Sequence, residues 1–374
     1  MKVALVHELL TMKGGAERVL RVLARMFPDA PIYTLLYDER KLCNWFPKER
    51  VRTSVVQQKA DRWPLFTGRY NHHLYLKDFP AAVESFDFSE FDLVISSSSA
   101  FAHGIITNGK PKHLCYVHSP ARYLWDRTHD VLERANRGLL GAMKRRYLEK
   151  TFHELRVWDS ETAPRPDRLI AASKEVQRRI ELYWDRTSDV AYPPIADSWF
   201  LNTPNPNPNP NPFFLIVSTL ASYKRIDLAI DACNKLKLHL KIVGDGPQRA
   251  ALEGMAGPTI EFYGYRDGDE LRDLFANAKA TIVPGEEDFG LVPIESMASG
   301  TPVIGYGKGG LIETVVPDET GTFFAENNVE SLMQKIASFD QKKYSKENCR
   351  KHAENFRESV FVQKMHTEID RLMK

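Results

Sequence analysis

Two carboxylates, Glu287 and Glu295, bracket seven residues in the segment PGEEDFGLVPIESMASGTPVIGY, residues 284 to 306. The apolar run Ala280 to Val283 ahead of it reads as a strand, and Pro293 takes a place that the first turn of a helix tolerates. Gly300 then stops that helix. The spacing puts Glu287 on a loop at the carboxyl end of a strand, where open α/β sheets bind ligands, and Glu295 inside the following helix. Between them the N–H groups of Gly290, Leu291 and Val292 face an anion. A carboxylate that accepts from hydroxyl groups, beside a helix start suited to phosphate, fits a nucleotide joined to a sugar. The spacing alone fits two solvated glutamates equally well.

Further candidates stand in the first half of the chain. Gly14-Gly15-Ala16-Glu17 opens a helix after a strand, so its backbone either approaches a phosphate or an acceptor closely or forms a plain turn. His118 directly follows the strand Lys112 to Val117, at the edge where ligands gather, although a lone histidine is more often structural. Arg122 and Asp126 in the same loop bind acceptor hydroxyls or phosphate, or form a local ion pair. Asp267-Gly268-Asp269 has the look of a metal-binding acidic pair but reads as the cap of a helix at Glu270, and His72-His73 reads as surface. No metal and no cofactor is expected.

Elements that position these residues follow an α/β grammar. Val3 to Val6 reads as a buried parallel strand, followed by the Gly14-Gly15 turn and a periodic helix through Val19, Leu20, Leu23 and Met26. Apolar runs recur at Leu93 to Ser96, Lys112 to Val117 and Leu169 to Ala172. From Thr203 to Pro212 asparagine alternates with proline, which removes every second backbone donor and disfavours helix before each proline. As polyproline II at about 3.1 Å per residue, it spans roughly 30 Å. The pattern then restarts with a strand at Phe213 to Ser218, a helix at Ile226 to Leu236, a strand at Leu238 to Val243, the GDGP turn, and a strand at Ile260 to Tyr263. A helix at Glu270 to Ala276 and strands at Ala280 to Pro284 and Pro302 to Tyr306 follow, and no further strand is expected before the helical residues Phe356 to Met373. Two doubly wound domains facing across a cleft result: 1–200, a linker at 201–212, and 213–355, with 356–374 docking back on the first.

Composition agrees with two soluble domains. The 374 residues exceed one ordinary core, and 43% apolar with 27% charged residues argues against disorder. A net charge of +2 offers no general attraction to nucleic acid. The four cysteines lack metal-site spacing, which favours a cytoplasmic home. The start MKVALVHELL breaks at His7 and Glu8, unlike a signal peptide, and no apolar run is long enough to span a membrane. Residues 137–155 place Leu139, Leu140, Met143, Tyr147, Leu148, Phe152 and Leu155 at helical intervals among Arg137, Lys144, Arg145, Arg146 and Lys150. Such a basic amphipathic helix lies on an anionic membrane surface, peripheral on the inner face of the plasma membrane, or is a core helix with a solvated face.

Gly-Gly at 14, SxxxxxKRxDLAI at 218 to 230, IVGDGP at 242 to 247, the E-x7-E pair and GKGG at 307 to 310 together resemble the retaining GT-B glycosyltransferases of family 4. YVHSPARYLWD at 116 to 126 and the YPP turn at 192 to 194 resemble the bacterial GDP-mannose-dependent mannosyltransferases of surface polysaccharide synthesis. The resemblance implies a sugar nucleotide on the second domain and a saccharide or lipid-linked saccharide acceptor on the first, with no nucleic acid and no metal. It implies that Glu295 accepts from the ribose hydroxyls, that Glu287 and His118 lie at the donor sugar, and that Lys224 neutralises the diphosphate, with Arg225 beside it. Gly15, Thr219, Phe289, Gly290, Leu291 and Val292 complete the donor residues, and Gly14, Arg122 and Asp126 the acceptor residues. One departure is plain: five residues before Lys224 the family has arginine, and this chain has Thr219, whose hydroxyl cannot replace a charged bidentate fork. A UDP-sugar donor, or a nucleotide-sugar-binding protein with little turnover, remains open. A dehydrogenase is disfavoured because no G-x-G-x-x-G opens either domain.

Overall fold

The computed structural model describes residues 1–62, 70, 74–136, 138, 140–201 and 212–374. The Asn-Pro run through Asn211, the pair His72-His73, and Arg137 and Leu139 of the basic helix lie outside the described residues. The chain divides into two compact units, Met1–Tyr192 with Val362–Lys374, and Pro193–Phe361. Ile195 and the short turn Asp197–Phe200 thus fall in the second unit, ahead of the Asn-Pro run.

In the first unit, strands β1 (Val3–Leu10), β2 (Ile32–Tyr37), β3 (Val51–Thr53), β4 (Leu93–Ser98), β5 (Lys112–Val117), β6 (Arg168–Ala171) and β7 (Asp189–Val190) form a seven-stranded sheet in the order β3-β2-β1-β4-β5-β6-β7. Every neighbouring pair is parallel. Strands buried on both faces need apolar residues throughout; β1 and β4 supply them until His7-Glu8 and Ser96 to Ser98, and β5 supplies them from Leu114 to Val117. Near the carboxyl end of the chain, Glu368 accepts from Arg168 Nε at 2.7 Å and ties the last helix to β6.

The second unit holds β8 (Phe213–Val217), β9 (His239–Val243), β10 (Ile260–Gly264), β11 (Thr281–Val283), β12 (Val303–Tyr306) and β13 (Gly321–Phe324), parallel in the order β10-β9-β8-β11-β12-β13. Both units are therefore doubly wound, Rossmann-like α/β sheets. Strand β13 corrects the expectation that none follows Tyr306: Gly-Thr-Phe-Phe pairs in register with β12, and four residues are too few to carry a periodic signal.

The basic helix also departs from its expected bounds, running Gly141–Thr162. Residues 142–147 are all exposed, so Met143 and Tyr147 share the surface with Lys144, Arg145 and Arg146. Further along, Phe152 and Leu155 enter the core of the first unit. The core expected for this segment is thus confined to its second half, and its first half is exposed. No helix among the described residues is long and apolar enough to cross a membrane.

Candidate functional site

In the second unit three loops meet at the carboxyl ends of adjacent strands. The loop after β8 carries Lys224, the loop after β11 carries Glu287, and the GKGG loop follows β12. Side chains at two points would keep these loops apart. A Cβ on Gly285 would lie 2.8 Å from Lys224 Cα, and one on Gly310 would lie 2.3 Å from the Asp288 carbonyl oxygen. Gly310 N–H donates to the Glu287 carbonyl at 2.8 Å. This close approach delivers Glu287 to Lys224, whose Nζ donates to both carboxylate oxygens at 2.7 and 2.6 Å. Burial opposes the ammonium charge, but Glu287 holds the Lys224 pKa above the ordinary lysine value. The GDGP turn supports the same loop, with Leu220 N–H donating to Asp245 O at 3.0 Å and Gln248 N–H to Leu220 O at 2.9 Å.

The helix Leu291–Ala298 starts from Gly290 at a φ of 88°, and Gly300 at 82° follows its end. Glu295 is 2% exposed inside it, and the side chains of Lys224 and Glu287 are 19% and 17% exposed. Two solvated glutamates are thereby ruled out. Leu291 and Val292 are half-buried, whereas the Phe289 ring packs against Phe356 with centroids 5.7 Å apart, so only its backbone can meet a ligand. Arg225 adopts a left-handed φ of 51° and turns its guanidinium to Asp227 and to Asn327 Oδ1 at 2.6 Å. Thr219 is exposed at the start of the same loop. Asp267 occupies the N-cap position of the helix Gly268–Asn277 without a side-chain capping bond, and Asp269 pairs with Arg272.

In the first unit, strand register assembles a second polar cluster. His7 pairs with Ser97 and Ser97 with Tyr116 across β1, β4 and β5. Because side chains alternate, His7, Ser97 and His118 share one face of the sheet, and Glu8 and Ser98 share the other. On the first face, Ser97 Oγ lies 2.8 Å from His118 Nε2 and 3.1 Å from His7 Nδ1. His7 Nε2 stands 3.8 Å from Glu17 Oε1, and Glu17 Oε2 accepts from Gly14 N–H at 3.0 Å. Glu17 thus fixes the Gly14-Gly15 turn, with Gly14 as the N-cap of the helix Gly15–Met26.

On the other face a single Glu8 oxygen, Oε1, accepts from Ser98 Oγ at 2.9 Å and from the N–H groups of Ser99, Ala100, Phe101 and Ala102 at 2.7 to 3.0 Å. Burial raises its pKa, but His7 and these amides outweigh that and hold it below the usual glutamate value. Asp126 accepts from Arg122 Nε at 3.3 Å and from Tyr183 OH, and it forms an ion pair with the buried Arg179, whose Nε lies 3.2 Å away. The ion-pair alternative for Arg122 and Asp126 is realised, and it braces the loop that follows His118.

Residues 197–356 match the family model for glycosyl transferases group 1. That match lies within the second unit and covers less than half of the chain. The chain is 27% identical over 175 residues to an uncharacterized glycosyltransferase of Methanocaldococcus jannaschii, covering 46% of this chain and 48% of that protein. It is 39% identical over 106 residues to a GDP-mannose-dependent alpha-mannosyltransferase of Mycobacterium tuberculosis, 28% of each chain. The matches therefore span about half the length of the first relative and less of the second. Among solved structures, HepE of Anabaena in complex with UDP and glucose has a TM-score of 0.69 at 17% identity, covering 98% of this chain and 99% of that one. That likeness is one of fold and extends over nearly the whole chain.

Sequence reasoning overlooked His7, Glu8, Ser97 and Arg179. The signal was present for three of them: a parallel strand whose apolar run ends in His-Glu, or in a run of serines, places those polar groups at the ligand edge. Arg179 lies within a helix pattern and carries no such mark.

Proposed function

We propose that this protein is a retaining, metal-independent hexosyltransferase that moves mannose from GDP-mannose to a saccharide acceptor, one carried on a lipid. The observation that carries this reading is the Lys224–Glu287 pair at the meeting of three strand-end loops, beside the start of the Glu295 helix. An ammonium has three protons, so bonds to both Glu287 oxygens leave one for a phosphate oxygen. As the bond from the anomeric carbon to the diphosphate oxygen breaks, its electron pair stays on that oxygen. Lys224 and the amides of Gly290, Leu291 and Val292 stabilise the growing charge more than they stabilise the ground state. The acceptor oxygen bonds the anomeric carbon on the same face and passes its proton to the departing phosphate. Glu295 accepts from the ribose hydroxyls, His118 and Glu287 contact the hexose, and Gly14, Gly15 and Arg122 serve the acceptor side.

A mannose donor is supported by the GDP-mannose-dependent relative, and a UDP-sugar by the UDP-bound structures, so the donor test spans both. Incubation with GDP-mannose, UDP-glucose and UDP-N-acetylglucosamine, read by thermal shift and nucleotide release, is expected to give stabilisation and release with GDP-mannose. Stabilisation without release from any donor would make this a binding protein instead. The exposed Met143 and Tyr147 among Lys144, Arg145 and Arg146 support attachment to an anionic membrane at the cytoplasmic face. Flotation that does not depend on acidic lipid would remove that attachment.

A further inference from the structure

We propose that Glu17, His7 and Ser97 are positioning residues that hold His118 as the Nδ1–H tautomer, with Nε2 accepting from Ser97, and so fix the ring that contacts the transferred hexose. The inference rests on the reading that His118 contacts that sugar, but the network itself comes from the positions of four side chains. His7 Nδ1 lies 3.1 Å from the Ser97 carbonyl oxygen as well as 3.1 Å from Ser97 Oγ. A carbonyl only accepts, so His7 Nδ1 carries a proton and donates. Ser97 has one hydroxyl proton, and with His7 donating to its oxygen we assign that proton to the 2.8 Å contact with His118 Nε2. A His118 ring that accepts at Nε2 keeps its own proton on Nδ1.

The far end of the network favours this direction. His7 is buried with Glu17 on its Nε2 side, Glu8 next to it in the strand, Ser97 on its Nδ1 side and the His118 ring edge-on at 6.4 Å. Burial opposes a charge on His7, but Glu17 and then Glu8 hold its pKa above the ordinary histidine value, which keeps both its nitrogens protonated over a wider range. Glu17 is also the residue that fixes the Gly14-Gly15 turn, so one carboxylate joins that turn to the orientation of His118.

Long-range 15N–1H spectra of the full chain labelled at its histidines, with the His118→Gln spectrum identifying the ring, read the tautomer without any substrate. The expected result is Nδ1–H in the wild type and a mixture with Nε2–H in Ser97→Ala. An Nε2–H ring in the wild type, or an unchanged ring in Ser97→Ala, overturns the proposal. Nucleotide release supplies the second readout. Ser97→Ala and His7→Phe are expected to lower kcat roughly tenfold, the worth of one hydrogen bond, with the donor KM within about twofold. Ser97→Thr, which keeps a hydroxyl, and His7→Asn, whose amide replaces the Nδ1 donor, are expected to recover most of that loss. A shifted tautomer with unchanged kcat would overturn the positioning role. Should no sugar nucleotide be turned over while the wild-type ring is Nδ1–H and Ser97→Ala disturbs it, the functional reading falls and the tautomer assignment stands.

Discussion

The polar edge of the first sheet is held by side chains on neighbouring strands, whereas that of the second is held by backbone contacts between loops that glycine allows to touch. His7, Glu8 and Ser97 are buried in β1 and β4, and their rotamers are set by register. Lys224 and Glu287 sit on loops and retain part of their exposure. The first arrangement is complete without a ligand: each charge has its partner in the strands or turns beside it. The second places an ammonium, bonded to both Glu287 oxygens, at the meeting of three strand-end loops. A site that must admit and release a diphosphate suits the looser construction, and one that must orient a neutral ring suits the tighter one.

Removing Lys224 tests the looser side and is expected to have the largest effect. Lys224→Met should lower kcat/KM for nucleotide release by about 10²- to 10³-fold, the usual result of deleting one electrostatic donor to a leaving group. Its Tm should also fall, though less than its activity, because Met leaves the mostly buried Glu287 carboxylate without its cation and only its remaining contact with water offsets that. Equal losses in activity and folding would mean that the pair is a structural brace. Glu8→Gln tests the tighter side and should do the reverse, costing about 2–3 kcal/mol of stability in urea titration at neutral pH, since several charge-assisted bonds become neutral ones. The folded-state pKa of Glu8 lies below the usual glutamate value, so the folded protein binds this proton less tightly than the unfolded chain. Its contribution is therefore whole above about 4.5 and fades as pH falls through the folded value. A difference between wild type and Glu8→Gln that stays constant from pH 7 to pH 3 would contradict the depressed pKa.

The contrast also explains what could be read in advance. The E-x7-E segment, the Lys224 loop and the GKGG loop are each a contiguous motif, although Lys224 and Glu287 stand 63 residues apart, and the spacing within the first places Glu287 on a strand-end loop and Glu295 in a helix before the fold is known. Strands β4 and β5, and the helix Ile226–Leu236, are legible because each carries an uninterrupted apolar run or a clear 3.6-residue period. Strands β3 and β7 are two or three residues long and carry no pattern, whereas β2 is a legible six-residue run after the turn signal Pro28-Asp29-Ala30-Pro31 that sequence reasoning overlooked. The His7–Ser97–His118 cluster joins residues separated by 90 and 21 positions, and only strand order brings them together. Composition cannot supply that order. Arg179 is hidden for the same reason, since its ion pair with Asp126 depends on how a helix meets the loop after β5.

Thr219→Arg is the mildest change and bears on the second edge alone. The Thr219 backbone is already fixed, its carbonyl accepting from Ala221 N–H at 2.8 Å and from Ser218 Oγ at 3.1 Å, and the side chain is exposed, so arginine enters without repacking. Arg225 does not stand in for the missing fork, because Asp227 and Asn327 occupy its guanidinium. Thr219→Arg is therefore expected to raise kcat/KM for the donor up to about tenfold, the worth of one added charge-assisted bond to phosphate. Made in the Lys224→Met background, the same change should recover part of the lost turnover, since both side chains would act on the same diphosphate. Unchanged donor kinetics in both backgrounds would move the diphosphate away from this loop, leaving Lys224 as the partner of Glu287 alone.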